Sequence, residues 1–104
     1  MIKPELFDIV ELLVNLPECQ QSIGDRGSIV ECHDLNHFEV EFSNESGETT
    51  ALCVLSSQQF IIVWQAKTKQ WLTNTDKITA IFDNLSENKR EKVLDFARFL
   101  YQKA

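Results

Sequence analysis

A cysteine, two histidines and an aspartate fall within six residues, as Cys32-His33-Asp34 and His37. These are ligand types that hold a transition-metal ion: thiolate and imidazole suit zinc, with carboxylate as a further donor. Neighbouring residues on an extended chain point to opposite faces, so Cys32 and His33 diverge and at most three of the four converge. A buried thiol beside two solvated turn histidines outweighs that reading, and no metal or cofactor is expected. Other chemistry is supplied no better. No nucleophile has a base and an orienting group beside it, and G-x-S-x-G, H-E-x-x-H and the phosphate-binding glycine loop are absent. Gly24-Asp25-Arg26-Gly27 leads into a strand, not into the helix N-terminus that a phosphate cradle requires. The chain is expected not to be an enzyme; the alternative is an enzyme or metal protein whose groups are brought together by the fold and not by sequence spacing.

The elements around that cluster are legible from periodicity. Gly24–Gly47 reads as a long hairpin: Ser28–Cys32, a polar connection at Asp34–His37, then Phe38–Phe42. There, strict alternation puts Phe38, Val40 and Phe42 on one face and Glu39 and Glu41 on the other. Asn44-Glu45-Ser46-Gly47 is turn chemistry. Residues 1–16 fit both a helical stripe and a slipped strand. A two-stranded hairpin needs further cover, which favours a strand at about residues 7–14. Glu48–Leu55 is a third β segment, Ser56–Gln59 a short turn, and Phe60–Trp64 a wholly apolar strand. Strand, long loop, three meandering strands, a turn and a last strand make an SH3-like β-barrel over residues 1–65, its edges managed by closure.

Residues 66–75 read as a polar linker anchored by Trp71 and Leu72, and residues 76–104 as a helical segment. Its first helix spans Lys77–Asp83, with Thr75 as cap and Asn84 as stop. Ser86 caps a second helix from Glu87 to about Lys103, with Glu87 favourably placed against the helix dipole. At ~100° per residue, Phe96, Leu100, Val93, Ala97, Tyr101 and Leu94 form one continuous face. Phe99 breaks the pattern by projecting beside Asp95 and Lys92. The main stripe can pack on the barrel, pair with the same helix of a second copy in a homodimer, or enter a partner's groove. For that last role Phe96, Phe99, Leu100 and Tyr101 are the candidate partner-binding residues.

Composition narrows the partner. The chain has 104 residues, 43% of them hydrophobic, enough for one core. Its net charge of −6 disfavours nucleic acid, which is bound mainly by Lys and Arg, and suits a basic protein partner. Stacking of bases on Phe7, Phe38, Trp64 and Trp71 is the alternative, opposed by Glu39, Glu41, Glu45 and Glu48. Cys19, Cys32 and Cys53 are odd in number and lack a C-x-x-C, which reads as three reduced thiols. No run approaches the ~20 apolar residues of a membrane span, and Met1–Glu5 lacks signal-peptide character. A cytoplasmic protein with no membrane contact is expected.

LFDIVELLVNLPE, GDRGSIVE, HFEVEF and GETTALCVLSSQQF, across residues 6–65, together resemble a bacterial family of small proteins of unknown function, thought to be SH3-like and often encoded in paired small genes. LSENKREKVLDFARFLYQK, residues 85–103, is similar to a short segment of small antitoxin-like proteins. Val93, Leu94, Asp95, Phe96, Phe99 and Leu100 match it, whereas Ser86 stands where proline is usual. Neither resemblance supplies a catalytic residue. Together they imply a protein-binding module, the antitoxin half of a toxin–antitoxin pair.

Overall fold

The alternation at Phe38–Phe42 is realised in a computed structural model that describes residues 2–103. Strands β1 (Ile9–Leu12), β2 (Arg26–Cys32), β3 (His37–Ser43), β4 (Thr49–Ser56), β5 (Phe60–Gln65) and β6 (Gln70–Trp71) precede helices α1 (Asn74–Asp83) and α2 (Glu87–Gln102). The strands form one antiparallel sheet in the order β4-β3-β2-β1-β5-β6. Register puts Phe38 opposite Leu55, Val40 opposite Cys53 and Phe42 opposite Ala51. These side chains, with Val10, Leu12, Ile29, Phe60 and Ile62, make the core. The β3–β4 turn is tied by Asn44 Oδ1, which accepts from the N–H groups of Ser46 and Glu48, both at 3.0 Å. Gly47 takes φ +83° there, a value that an L side chain adopts only at a cost.

The N-terminal ambiguity resolves as a short strand, β1, paired with both β2 and β5. Its entry is held by Asp8, only 1% exposed. Asp8 Oδ2 accepts from Glu5 N at 3.0 Å and Oδ1 from Ala66 N at 2.9 Å, clamping the first turn to the end of β5. Asp8→Asn exchanges one of those acceptors for an N–H donor. A loss of about 1–2 kcal/mol in denaturant unfolding is expected, because a buried amide is left unsatisfied.

Three expectations need correction. The sheet is not a closed barrel: β4 and β6 are its edges, and no ladder joins them among the described residues. It curls enough for Phe38 of β3 to meet Phe60 of β5 edge-on, with ring centroids 5.8 Å apart. However, β6 is only two residues long and runs directly toward α1, leaving too little strand for closure. The cysteines are not all reduced, because Cys19 and Cys53 form a disulfide. It ties the 3₁₀ turn Pro17–Cys19 to β4, and only Cys32 is free. Finally, Thr73 rather than Thr75 caps α1. Thr73 Oγ1 accepts from Asp76 N at 3.1 Å, while Asp76 Oδ2 accepts from Thr73 N at 3.2 Å, a reciprocal capping box. Ser86 caps α2 and Asn84 ends α1, as the sequence indicates.

Residues 66–75 hold β6, which pairs Trp71 with Trp64 and Gln70 with Gln65. Among the described residues no helix is long and apolar enough to cross a membrane.

Candidate functional site

The metal-ligand cluster separates into two halves. His37 Nδ1 lies 3.0 Å from Asp34 Oδ1 at the hairpin tip. There, chiefly the Asn36 N–H and then His37 hold the exposed Asp34 carboxyl below its ordinary value. His33 instead lies across the ladder, with Nε2 3.2 Å from Glu39 Oε1 and 3.7 Å from Glu31 Oε2. Glu31, His33 and Glu39 therefore bring three donor atoms within 4.8 Å of one another on a solvated surface. Glu39 joins because the bulged β2–β3 register sets it against Glu31. A reading confined to adjacent residues does not find it. Cys32 takes no part in this group.

The aromatic residues considered for base stacking disperse as well. Phe38 is buried in the core, and Phe7 is exposed in a left-handed turn at φ 71°. Trp64 and Trp71 do meet, with centroids 6.4 Å apart, and the Arg26 guanidinium lies 5.6 Å from the Trp71 ring. Glu11 sits 3.6 Å from Arg26 and offsets its charge.

The second helix is where apolar surface accumulates. Its start is fastened to the end of α1 by Arg90. The Arg90 Nε donates to Phe82 O and its Nη2 to Asp83 O, both at 3.0 Å, while the guanidinium lies 5.2 Å from the Phe82 ring. That clasp satisfies carbonyls at the α1 C-terminus, which have no partner within their own helix. It also fixes where α2 departs. α1 packs on β5, whereas no residue of α2 is buried.

Val93 is half-buried and the turns beyond it are free. Phe96, Phe99, Leu100 and Tyr101 are all exposed, Phe99 by 49% and Tyr101 by 87%. The rings of Phe96 and Phe99 stack at 6.2 Å with 29° between planes, and Lys103 Nζ sits 5.3 Å from the Phe99 ring. The main stripe thus does not pack on the sheet. Phe99, set by the helical period beside Asp95 and Lys92, adjoins the stripe through Phe96. Arg98 and Asp95 pair at 3.0 Å beside it. An exposed aromatic surface of this kind can bury itself in a groove of a partner. It holds no nucleophile or proton-transfer pair.

The family described as a domain of unknown function, DUF4926, matches residues 6–62, more than half of the chain. The chain belongs to DUF4926. No curated protein and no solved structure matches it. The DUF4926 residues run from the turn before β1 into β5, so they contain β1 to β4 and the first half of β5. Both helices, and with them the aromatic surface, lie outside the matched span. The resemblance over residues 6–65 accordingly holds at the level of a family of unknown function. The match does not reach the antitoxin-like segment at 85–103.

Proposed function

We propose that the chain is a non-enzymatic protein-interaction module, with the curled sheet as an SH3-like scaffold and the second half of α2 as the binding element. Its partner is a small basic protein, on the antitoxin reading the cognate toxin. One observation carries this: Phe96, Phe99, Leu100 and Tyr101 are all exposed, with Phe96 and Phe99 stacked, on a helix whose N-terminal turn is anchored elsewhere. Exposed contiguous apolar surface on a folded chain marks an interaction site, and aromatic side chains are the usual anchors of binding energy. Charge supports the choice of partner. Residues 1–65 carry eleven acidic side chains against only Lys3 and Arg26, a field that accelerates encounter with a cation-rich protein.

The test is affinity capture from native bacterial lysate at physiological salt, with and without nuclease, followed by titration of the recovered protein. Phe99→Ala is expected to weaken that complex by roughly 30-fold or more, the loss of one hot spot. Because Phe99 touches solvent and its own helix, the thermal midpoint should barely move. A large fall in midpoint with affinity intact would overturn the assignment. Recovery abolished by nuclease would favour the nucleic-acid reading, of whose stacking residues Trp64 and Trp71 meet beside Arg26.

A further inference from the structure

The terminal strand β4, TTALCVLS, has eight residues with neither a charge nor a proline. Sheets protect long edges with charges, prolines or short strands. The opposite edge, β6, is short; β4 has no charge or proline, its one bulge falls at Thr50 near its start, and the Pro17–Cys19 turn is tied to the buried Cys53 rather than to the exposed Leu52 and Val54. Which of its backbone groups are free follows from the hairpin. The His33 N–H donates to His37 O at 2.9 Å, so the backbone of His37 faces β2. Antiparallel alternation then turns Phe38, Val40 and Phe42 toward β4. Their partners Leu55, Cys53 and Ala51 are thereby engaged, and Leu52 and Val54 direct N–H and C=O outward. Ser56, next in that set, has its N–H taken by Gln59 Oε1 at 2.9 Å. One end of the edge is therefore capped and its middle is open. Leu52 and Val54 are also 56% and 59% exposed.

We propose that β4 pairs antiparallel with β4 of a second copy across a two-fold axis at Cys53, joining two sheets edge to edge. Leu52 of each copy then lies opposite Val54 of the other. Each such pair exchanges two hydrogen bonds, and the four side chains pack on the outer surface. Charge selects this occupant. Most other approaches of two such acidic sheets set carboxylates against each other, whereas β4 offers a neutral strip that needs only to match itself. Glu39 and Glu41 on β3 would sit three strand spacings from their counterparts, about 14 Å, beyond the ~8 Å screening length at physiological ionic strength. The interface does not involve α2.

Sedimentation of the full chain across concentration and NaCl tests this. The expected species is a dimer of about twice 12.0 kDa, tightening as salt screens the −6 charge on each copy. Val54→Lys should raise its dissociation constant at least ~100-fold by placing an ammonium in the seam. Leu52→Lys should do the same. Neither should unfold the monomer, because those positions pair with Glu39 and Glu41 across β3–β4. Phe99→Ala should leave the dimer unchanged, and exchange at the Leu52 and Val54 amides should slow with concentration. A monomer at every concentration would overturn the proposal. So would a dimer insensitive to both lysine variants, one lost in Phe99→Ala, or one loosened by salt as charge-paired partners are.

Discussion

Gly27→Ala is expected to cost about 3 kcal/mol of unfolding free energy, which for a domain of this size lowers the midpoint by roughly 15 °C. Gly27 is buried where β2 enters the sheet. A Cβ built there lies 2.7 Å from Val40 Cγ1, 2.8 Å from Glu41 O and 3.0 Å from Phe42 Cδ1. Two of those atoms belong to core side chains with essentially no exposure. The third is a backbone oxygen of β3, which pairs with β2 through Ser28 and Glu41. Relief therefore requires β2 and β3 to separate, and such movement is opposed by a close-packed interior. Gly47→Ala is the comparison. Its Cβ meets nothing within 4 Å, but its φ of +83° is left-handed, so it should cost only about 1 kcal/mol, from backbone strain alone. Denaturant titrations of the two variants separate space from conformation. If Gly27→Ala proved no worse than Gly47→Ala, the close approach of β2 and β3 at that point would be refuted.

What could be read from the sequence divides along a physical line. The hairpin was legible because alternation at Phe38–Phe42 and the Asn44–Gly47 turn are local signals, and local signals survive tertiary context. The cap at Ser86 was legible for the same reason. Thr73 was missed although Thr73-x-x-Asp76 is a capping-box spacing, because Thr75 lay nearer the first apolar helical residue, Ile78. Closure could not be read, since it depends on whether two edges far apart in sequence approach each other. Gln70-Trp71 is also too short to show a period. Glu39 was absent from the ligand cluster because cross-strand neighbours depend on register, and a bulge between Ile29 and Glu31 alters it. The α2 stripe was fully visible, but its exposure was not. An amphipathic pattern is identical whether the face is packed on a sheet or left open, and here the direction of departure set by Arg90 decides.

The disulfide gives the second large effect. Cys19 and Cys53 are 34 residues apart in sequence with Cα atoms 6.4 Å apart, within the span a disulfide bridges. Loop-closure entropy for a ring of that length corresponds to about 4 kcal/mol at 25 °C, a large share of the ~5–15 kcal/mol that holds a domain folded. Little else holds the Pro17–Cys19 turn against β4: Leu16 enters the core and pairs with Gln21, and both lie on the turn's own flanks. Reduction, or Cys19→Ala with Cys53→Ala, should thus lower stability by roughly 3–4 kcal/mol in denaturant unfolding, with the turn exchanging its amides first. Thiol titration supplies the check. The oxidised native chain should show one reactive thiol, the exposed Cys32, and the reduced unfolded chain all three. Three thiols titrating in the folded, oxidised protein would sink the pairing. Cysteine count pointed to reduced thiols because three is odd and no spacing pairs them. The curl of the sheet makes the pair, by bringing a loop after β1 over an edge strand. In a reducing compartment the same chain forgoes the cross-link, so its stability there rests on the core around Phe38 and Phe60 and should equal that of the double alanine variant to within the packing lost at Cys53.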